Sequence, residues 1–338
     1  MKNFYLFCLK HSTLMFFILM LIISGLLTDR FYSLENITNV LRQSVPLGIV
    51  SLGLLFVILT GGIDLSVGSI MALVSVVIAL VIPDYGILGS MLIALFVGTI
   101  IGAAAGGLVS YFKVAPFVAT LAMMTIARGL ALIVSKGQPV FIDNDAFTDF
   151  GTGYLLALPL PFYVLLICFF GVFFVFKKTV FGRLVISIGS NEVATQFSGI
   201  QVERYKFWVY VICGLACALA GILATTRTGV GSPVFGIGFE LDAIAAVVVG
   251  GASLSGGKGT VTNTLIGVLI LSIISNLMNL LNIPGYHQQV VKGGIIILAV
   301  LLESLKNRQR LDYIVYHTVG SQLENQQFED KVLKTNKQ

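Results

Sequence analysis

An apolar stretch from Val45 to Pro83 is long enough to cross a bilayer and start back, but it breaks at Gly61-Gly62-Ile63-Asp64-Leu65-Ser66-Val67-Gly68-Ser69. This interruption constrains the chain more than any other feature. Hydrocarbon offers no water to free backbone groups, so non-helical backbone at membrane depth is tolerated only where protein or a wet cavity covers it. A carboxylate at the bilayer centre costs roughly 2.5 to 3.5 kcal/mol on insertion scales, which places Asp64 at a helix end, beside water or against a polar partner. The glycines suit such a break because they accept positive φ and let backbones approach closely. The pattern returns 189 residues later as Gly250-Gly251-Ala252-Ser253-Leu254-Ser255-Gly256-Gly257. Matched interruptions point to a transport pathway, because unwound helix ends present dipoles and free backbone groups. On that reading Gly61, Gly62, Asp64, Ser66 and Gly68, with Gly250, Gly251, Ser253 and Ser255, belong to a translocation path. The plainer reading is a pair of tight turns between helices, touching no solute. A phosphate-cradling loop fails on spacing, since Lys258 is followed by Gly259 and not by Ser or Thr.

Only 11% of the 338 residues are charged and 57% are hydrophobic, with mean hydropathy +0.96. Globular chains carry about 25% charged residues, so this is an integral membrane protein. Its apolar segments have the roughly 17 to 25 residues of membrane helices, not the 9 to 11 of barrel strands, and the fold class expected is all-α and polytopic. Ten spans are expected, near 12–28, 45–62, 65–83, 86–110, 114–134, 153–176, 206–226, 240–249, 261–281 and 289–305. The first follows Lys2 and Lys10 like a signal peptide but lacks a small-x-small cleavage site, so it is expected to be retained. Phe31, Leu34, Ile37, Val40 and Leu41 recur at helical spacing, predicting a helix over 31–43 on the membrane surface. Gly98, Gly102 and Gly106 predict a close helix-packing seam. Arg128 either snorkels to the outer interface or faces a polar interior; snorkelling is the expectation.

With both ends inside, fifteen Lys and Arg fall on internal segments and three, Arg30, Arg42 and Lys136, outside. That bias orients the chain and accounts for the net charge of +5 without any nucleic-acid partner. Residues 1–305 form the membrane domain, and 306–338 a charged, Gln-rich tail expected to be disordered. The halves repeat imperfectly, since the glycine motifs lie 189 residues apart but Pro116 and Pro284 only 168.

Chemistry is sparse. Cys8, Cys168, Cys213 and Cys217 lie in or beside apolar segments without zinc-type spacing and read as small core residues. Cys213 and Cys217, four apart on one helical face, could otherwise only pair across chains or bind a soft metal, and the core reading is preferred. His11, His287 and His317 lie near ends or in the tail, without a nucleophile, base or metal constellation, which argues against an enzyme. No metal and no cofactor are expected. The polar stretch 177–206 marks a helix of about two turns at both ends: Asn191 as N-cap, Glu192 against the positive helix end and Gly199 at the C′ position. A short helix between two spans needs a docking surface. Glu240 and Asp242 open the segment 240–249, where they read as outer-face caps.

Four segments together carry a family resemblance: Gly61 to Ser69, Ser190 to Ile200, Glu240 to Val248, and Gly250-Gly251 through Lys258-Gly259-Thr260. They resemble the signature segments of bacterial monosaccharide ABC-importer permeases, the ribose type above all, over residues 12 to 305. Ile186 and Ser187 depart from the family's usual aromatic and alanine. The resemblance implies an inner (plasma) membrane permease working as a homodimer or with a paralogue, two cytoplasmic ATP-binding subunits, an extracytoplasmic sugar-binding protein and a monosaccharide substrate, within membrane lipid. It makes the segment with Asn191, Glu192, Ala194, Ser198 and Gly199 an ATPase-coupling helix, and leaves hydrolysis to the partner subunits. A stand-alone secondary transporter of a small polar solute is the alternative; it also uses broken helices but needs a mid-membrane ion site, for which Asp64 is the acidic candidate.

Overall fold

A computed structural model describes residues 12–295, 297, 298 and 301 of the chain. Lys2, Cys8, Lys10, His11, His317 and the segment 306–338 lie outside the described residues. Helices dominate: α1 Ser12–Leu27, α2 Leu34–Leu59, α3 Val67–Ser110, α4 Pro116–Val134, α5 Asp145–Thr152, α6 Leu160–Lys178, α7 Val180–Ser190, α8 Glu192–Phe197, α9 Val202–Thr228, α10 Phe239–Val249 and α11 Val261–Leu280. Residues 285–295 are helical as well. Four two-residue strands make two small antiparallel ribbons, β1 (Val140–Phe141) with β4 (Val230–Gly231) and β2 (Tyr154–Leu155) with β3 (Leu158–Pro159).

Among the described residues six helices are long and apolar enough to cross a membrane: α2, α3, α4, α6, α9 and α11. Their surfaces demand lipid or protein. Helix α6 buries only Pro161 and Leu165, while Ile167, Phe170 and Phe174 stand exposed on its outside. The core runs instead through α2, the first limb of α3, and α9, where Phe56, Ile70, Met71 and Tyr210 are sealed from solvent.

Helix α3 is 44 residues long but is not one rod, because Gly86 takes φ 64°, ψ −178° and folds it into two limbs. The expected spans 65–83 and 86–110 are these limbs. The second limb packs on α9 through the predicted glycine seam: a Cβ on Gly98 would lie 3.0 Å from Gly214 O, and one on Gly102 only 2.9 Å from Gly214 Cα. Backbone meets backbone there.

Three expectations need correction. The stretch 31–43 is no surface helix: Ser33 caps α2, its Oγ accepting from Asn36 N at 3.2 Å, and the helix runs unbroken to Leu59. Phe31 and Val40 pack on Ile273, and Asn36 trades side-chain amide bonds with Asn276 (3.0 and 2.8 Å), because polar side chains on this face have a partner in α11. The stretch left between the expected spans 114–134 and 153–176 is partly ordered as α5, whose N-cap Asn144 accepts from Phe147 N at 3.1 Å and whose Phe147 is buried. The span expected from 153 starts only at Leu160, after the β2–β3 turn with Leu156 and Ala157 at positive φ. Of ten expected spans, 240–249 corresponds to α10, which has 11 residues and reaches about 16 Å, roughly half of a 30 Å hydrocarbon core.

Candidate functional site at two broken crossings

The first crossing breaks where the sequence says. Helix α2 ends at Leu59, Gly61 takes φ 78°, residues 62–66 are non-helical, and α3 begins at Val67. Asp64 is completely buried in this segment. Its Oδ1 accepts from Ser66 N at 2.9 Å and Ser66 Oγ at 2.6 Å, while Oδ2 has no partner among the described residues. Both bonds to Oδ1 come from Ser66, so the carboxylate holds its own loop. Tyr210 and Thr120 hydroxyls both donate to Ile63 O, at 3.4 and 3.3 Å, and fix the unwound strand to α9 and α4. Tyr210 lies eight residues into α9, about 12 Å along its axis, so Ile63 is held inside the bundle although α2 ends only four residues earlier.

Gly62 and Gly68 serve by being small, not by their φ. A Cβ on Gly62 would lie 2.6 Å from Tyr210 Oη; one on Gly68 would run into Gly236 O and lie 2.8 Å from Glu240 Oε2.

The second crossing breaks in a place the glycine repeat does not mark. After α9, Gly229 turns left-handed (φ 64°), β4 pairs with β1, and residues 232–238 turn back along α3. Ser75 Oγ receives Ser232 N at 3.1 Å, and Arg128 Nη1 donates to Pro233 O and Phe235 O, both at 2.7 Å. Arg128 therefore neither snorkels nor faces an open polar interior; it ties down a re-entrant segment. Gly238, at φ 78°, then starts α10 part-way through the bundle. The first turn of α3 meets Gly236, three residues before α10, and Glu240 in the first turn of α10.

Glu240 and Asp242 do occupy the first turn of α10, yet among the described hydrogen bonds neither side chain caps it. Glu240 lies against Gly68, and Asp242 Oδ2 is paired with Lys292 Nζ at 2.6 Å, joining α10 to the helical residues 285–295.

The glycine repeat itself forms a clasp at the end of the bundle where α2 stops. Gly257 N donates to Leu59 O at 3.0 Å, and a Cβ on Gly256 would lie 2.9 Å from Gly61 N. The two motifs thus touch through Gly61 and residues 255–257. Gly250 and Gly251 do not reach Gly61: Gly250 is pressed on Asn263 and Thr264 of α11, and Gly251, at φ 85°, has open space around it. Ser253 N donates to Lys258 O at 2.8 Å and its Oγ accepts from Ser255 N at 3.3 Å, which closes the loop on itself.

The short capped helix grows from this clasp. Gly189, near the end of α7, lies against Leu59 O and Gly257 N with no room for a Cβ, and Gly257 in turn faces Ser190 Oγ. One residue later Asn191 Oδ1 accepts from Ala194 N at 2.9 Å and starts α8; Ser198 Oγ donates to Ala194 O at 2.9 Å, and Gly199 leaves the helix at φ 81°. Glu192 Oε2 pairs with Lys206 Nζ at 2.6 Å. The sequence reading missed Val193 and Phe197, whose exposures of 60% and 88% put two apolar groups on the outer face of α8. Their four-residue spacing in an otherwise polar segment was the available signal.

Comparison with known proteins places these features. Residues 36–300 match the family model described as branched-chain amino acid transport system / permease component. The ribose import permease protein of Haemophilus influenzae is 40% identical over 310 residues, covering 90% of this chain and 96% of its own. That of Bacillus subtilis is 44% identical over 294 residues, 86% and 91% of the two chains. The L-arabinose ABC transporter permease protein of Azospirillum brasilense is 35% identical over 306 residues, 89% of each. No solved structure matches.

Proposed function

Because the chain belongs to this family of transport-system permease components, we propose that it is the membrane subunit of an ATP-binding-cassette importer that moves a ribose-type monosaccharide across the inner membrane. On this reading it works beside a second permease copy, two cytoplasmic ATP-binding subunits that carry out hydrolysis, and an extracytoplasmic sugar-binding protein. The clasp end of the bundle faces the cytoplasm, in keeping with the charge bias of the sequence. Ten crossings follow when α1, both limbs of α3, the re-entrant segment with α10 and the segment after 285 are counted with the remaining long helices. The membrane domain ends near 305 and the tail lies inside.

One contact carries the mechanism. Gly189 joins the base of α8 to both Leu59, at the end of α2, and Gly257, in the glycine clasp, without an intervening side chain. A push on α8 from a docked ATPase reaches both loops directly, because close-packed backbone transmits displacement and does not absorb it. Val193 and Phe197 supply the apolar contact for a groove in the ATPase.

Two experiments test this. Phe197→Asp and Glu192→Lys, the second of which also sets two cations together at Lys206, should leave the permease in the membrane but reduce co-purification of the ATPase. Wild-type recovery of the ATPase with both variants would remove α8 from that role. Uptake of a labelled sugar panel in a strain lacking this chain should fall for a pentose; unchanged uptake of every sugar would sink the importer reading.

A further inference from the structure

We infer that the half-open cavity lined by α2, α6, α9, α11 and the re-entrant segment with the start of α10 is a weak site for a neutral monosaccharide, formed within a single chain and distinct from the two glycine loops. The inference rests on the importer reading above. The cavity holds about 340 Å³ and is lined by Arg42, Gln43, Arg227, Phe235, Phe239 and Asn279 among others. That lies within the range of about 300 to 1,000 Å³ usual for small-molecule pockets.

Its chemistry suits a compact polyol. Arg42 is held in place, with Nη2 donating to Thr152 O at 2.9 Å and the guanidinium 4.7 Å from the Tyr154 ring centroid. A fixed donor loses little freedom when it binds a hydroxyl. The Arg227 side chain, on the cavity wall, makes no hydrogen bond among the described residues, and a guanidinium presents several donors in a planar fork that fits adjacent hydroxyl oxygens. Gln43 and Asn279 each bring an amide that donates and accepts. Phe235 and Phe239 bring ring surface for the C–H face of a sugar.

The arrangement does not require an anion. Arg227 sits in the last turn of α9, where the helix end favours a cation, and Arg42 already bonds the final carbonyl of α5 and stacks on Tyr154. The site also touches the moving part of the proposed path. Phe235 belongs to the segment that Arg128 anchors, and the next residue, Gly236, lies on Gly68 at the start of α3.

The test uses the permease assembled with its ATPase in lipid nanodiscs, without binding protein, and D-ribose as the probe. Saturation-transfer NMR should detect millimolar binding, and Arg227→Gln and Asn279→Leu should each weaken it about ten-fold, the loss of roughly one good polar contact. Lys136→Ala, outside the cavity lining, should change nothing. On the unmodified chain, ribose should protect Arg227 from phenylglyoxal, read by peptide mass spectrometry, so the answer does not hang on variant folding. Absence of ribose binding in an assembly that transports ribose when given its binding protein overturns the site and leaves the importer reading intact. Binding unchanged in both variants, or binding of D-ribonate in place of ribose, overturns it too. An assembly that transports no monosaccharide sinks the importer reading and the site with it.

Discussion

The two glycine-rich motifs look alike in sequence and are used in opposite ways. At residues 62–66 the chain unwinds from the end of α2 into the bundle, with Asp64 sealed and Ile63 O held from two helices. At residues 250–257 it forms an end clasp, and the second real break lies earlier, at 232–238, in a segment rich in glycine but without the motif. A repeated glycine pattern therefore reports a repeated need for small residues, not a repeated position in the membrane. What matters at each glycine is the atom that stands where a side chain would go.

The sharpest way to break this contrast is to put one methyl group at each site. Gly68→Ala drives a Cβ into Gly236 O beside Glu240 Oε2, and we expect uptake to be abolished with the protein still inserted. Gly251→Ala has its nearest neighbour at 3.9 Å and only backbone strain to bear, about 1 to 2 kcal/mol for a left-handed alanine, so uptake should stay near wild type. Labelled-sugar uptake, normalised to the immunoblotted membrane level, decides; equal loss at both positions would erase the distinction.

Next in size is Gly62→Ala, which meets Tyr210 Oη at 2.6 Å. Overpacking typically costs about 1 to 3 kcal/mol, enough to reduce uptake several-fold. Adding Tyr210→Phe removes the offending oxygen and should restore part of the activity. A double variant no better than the single would mean that Gly62 matters for backbone freedom instead.

A smaller effect is expected at the ion pair that ties α10 to residues 285–295. Asp242→Asn leaves Lys292 without its counter-charge, and with side-chain exposures of 24% and 31% the pair is screened, so the loss should be about 1 to 2 kcal/mol, below that of a fully buried pair. Thermal melting of the purified protein should show it, and Asp242→Leu with Lys292→Met should recover most of it.

The mildest change is Asp64→Asn. An amide oxygen still accepts both bonds from Ser66, so we expect partial uptake at unchanged basal ATPase activity. Complete loss of uptake with assembly intact would show that the charge itself takes part in translocation, as in an ion-coupled transporter.

These contrasts also show what the residues disclosed on their own. The break at Asp64, the seam at Gly98, Gly102 and Gly106, and the caps Asn191 and Gly199 were legible because each is written in a spacing of a few residues, even where, as at the seam, the partner lies far along the chain. Local rules also misled. Helical spacing over 31–43 was real, but its polar side faces Asn276, 240 residues from Asn36, and no local pattern announces such a partner. Arg128 was ambiguous for the same reason, since the carbonyls it binds belong to Pro233 and Phe235. The glycines of the break were read together as sites for positive φ, yet of Gly61 and Gly62 only Gly61 has it, and Gly62 answers to a tyrosine 148 positions away. The cavity at Arg42 and Asn279 was invisible because its walls come from five separate stretches of chain.

The seam between the second limb of α3 and α9 sets the kinematics of the whole bundle. With Gly98 and Gly102 lying on Gly214, there is no layer of side chains to act as a bearing, and neither helix can slide on the other without dragging its partner's backbone. These two helices form the stator. Any stroke transmitted from α8 must be spent on what hangs from that frame: the short α10, its re-entrant approach, and the unwound strand at Ile63.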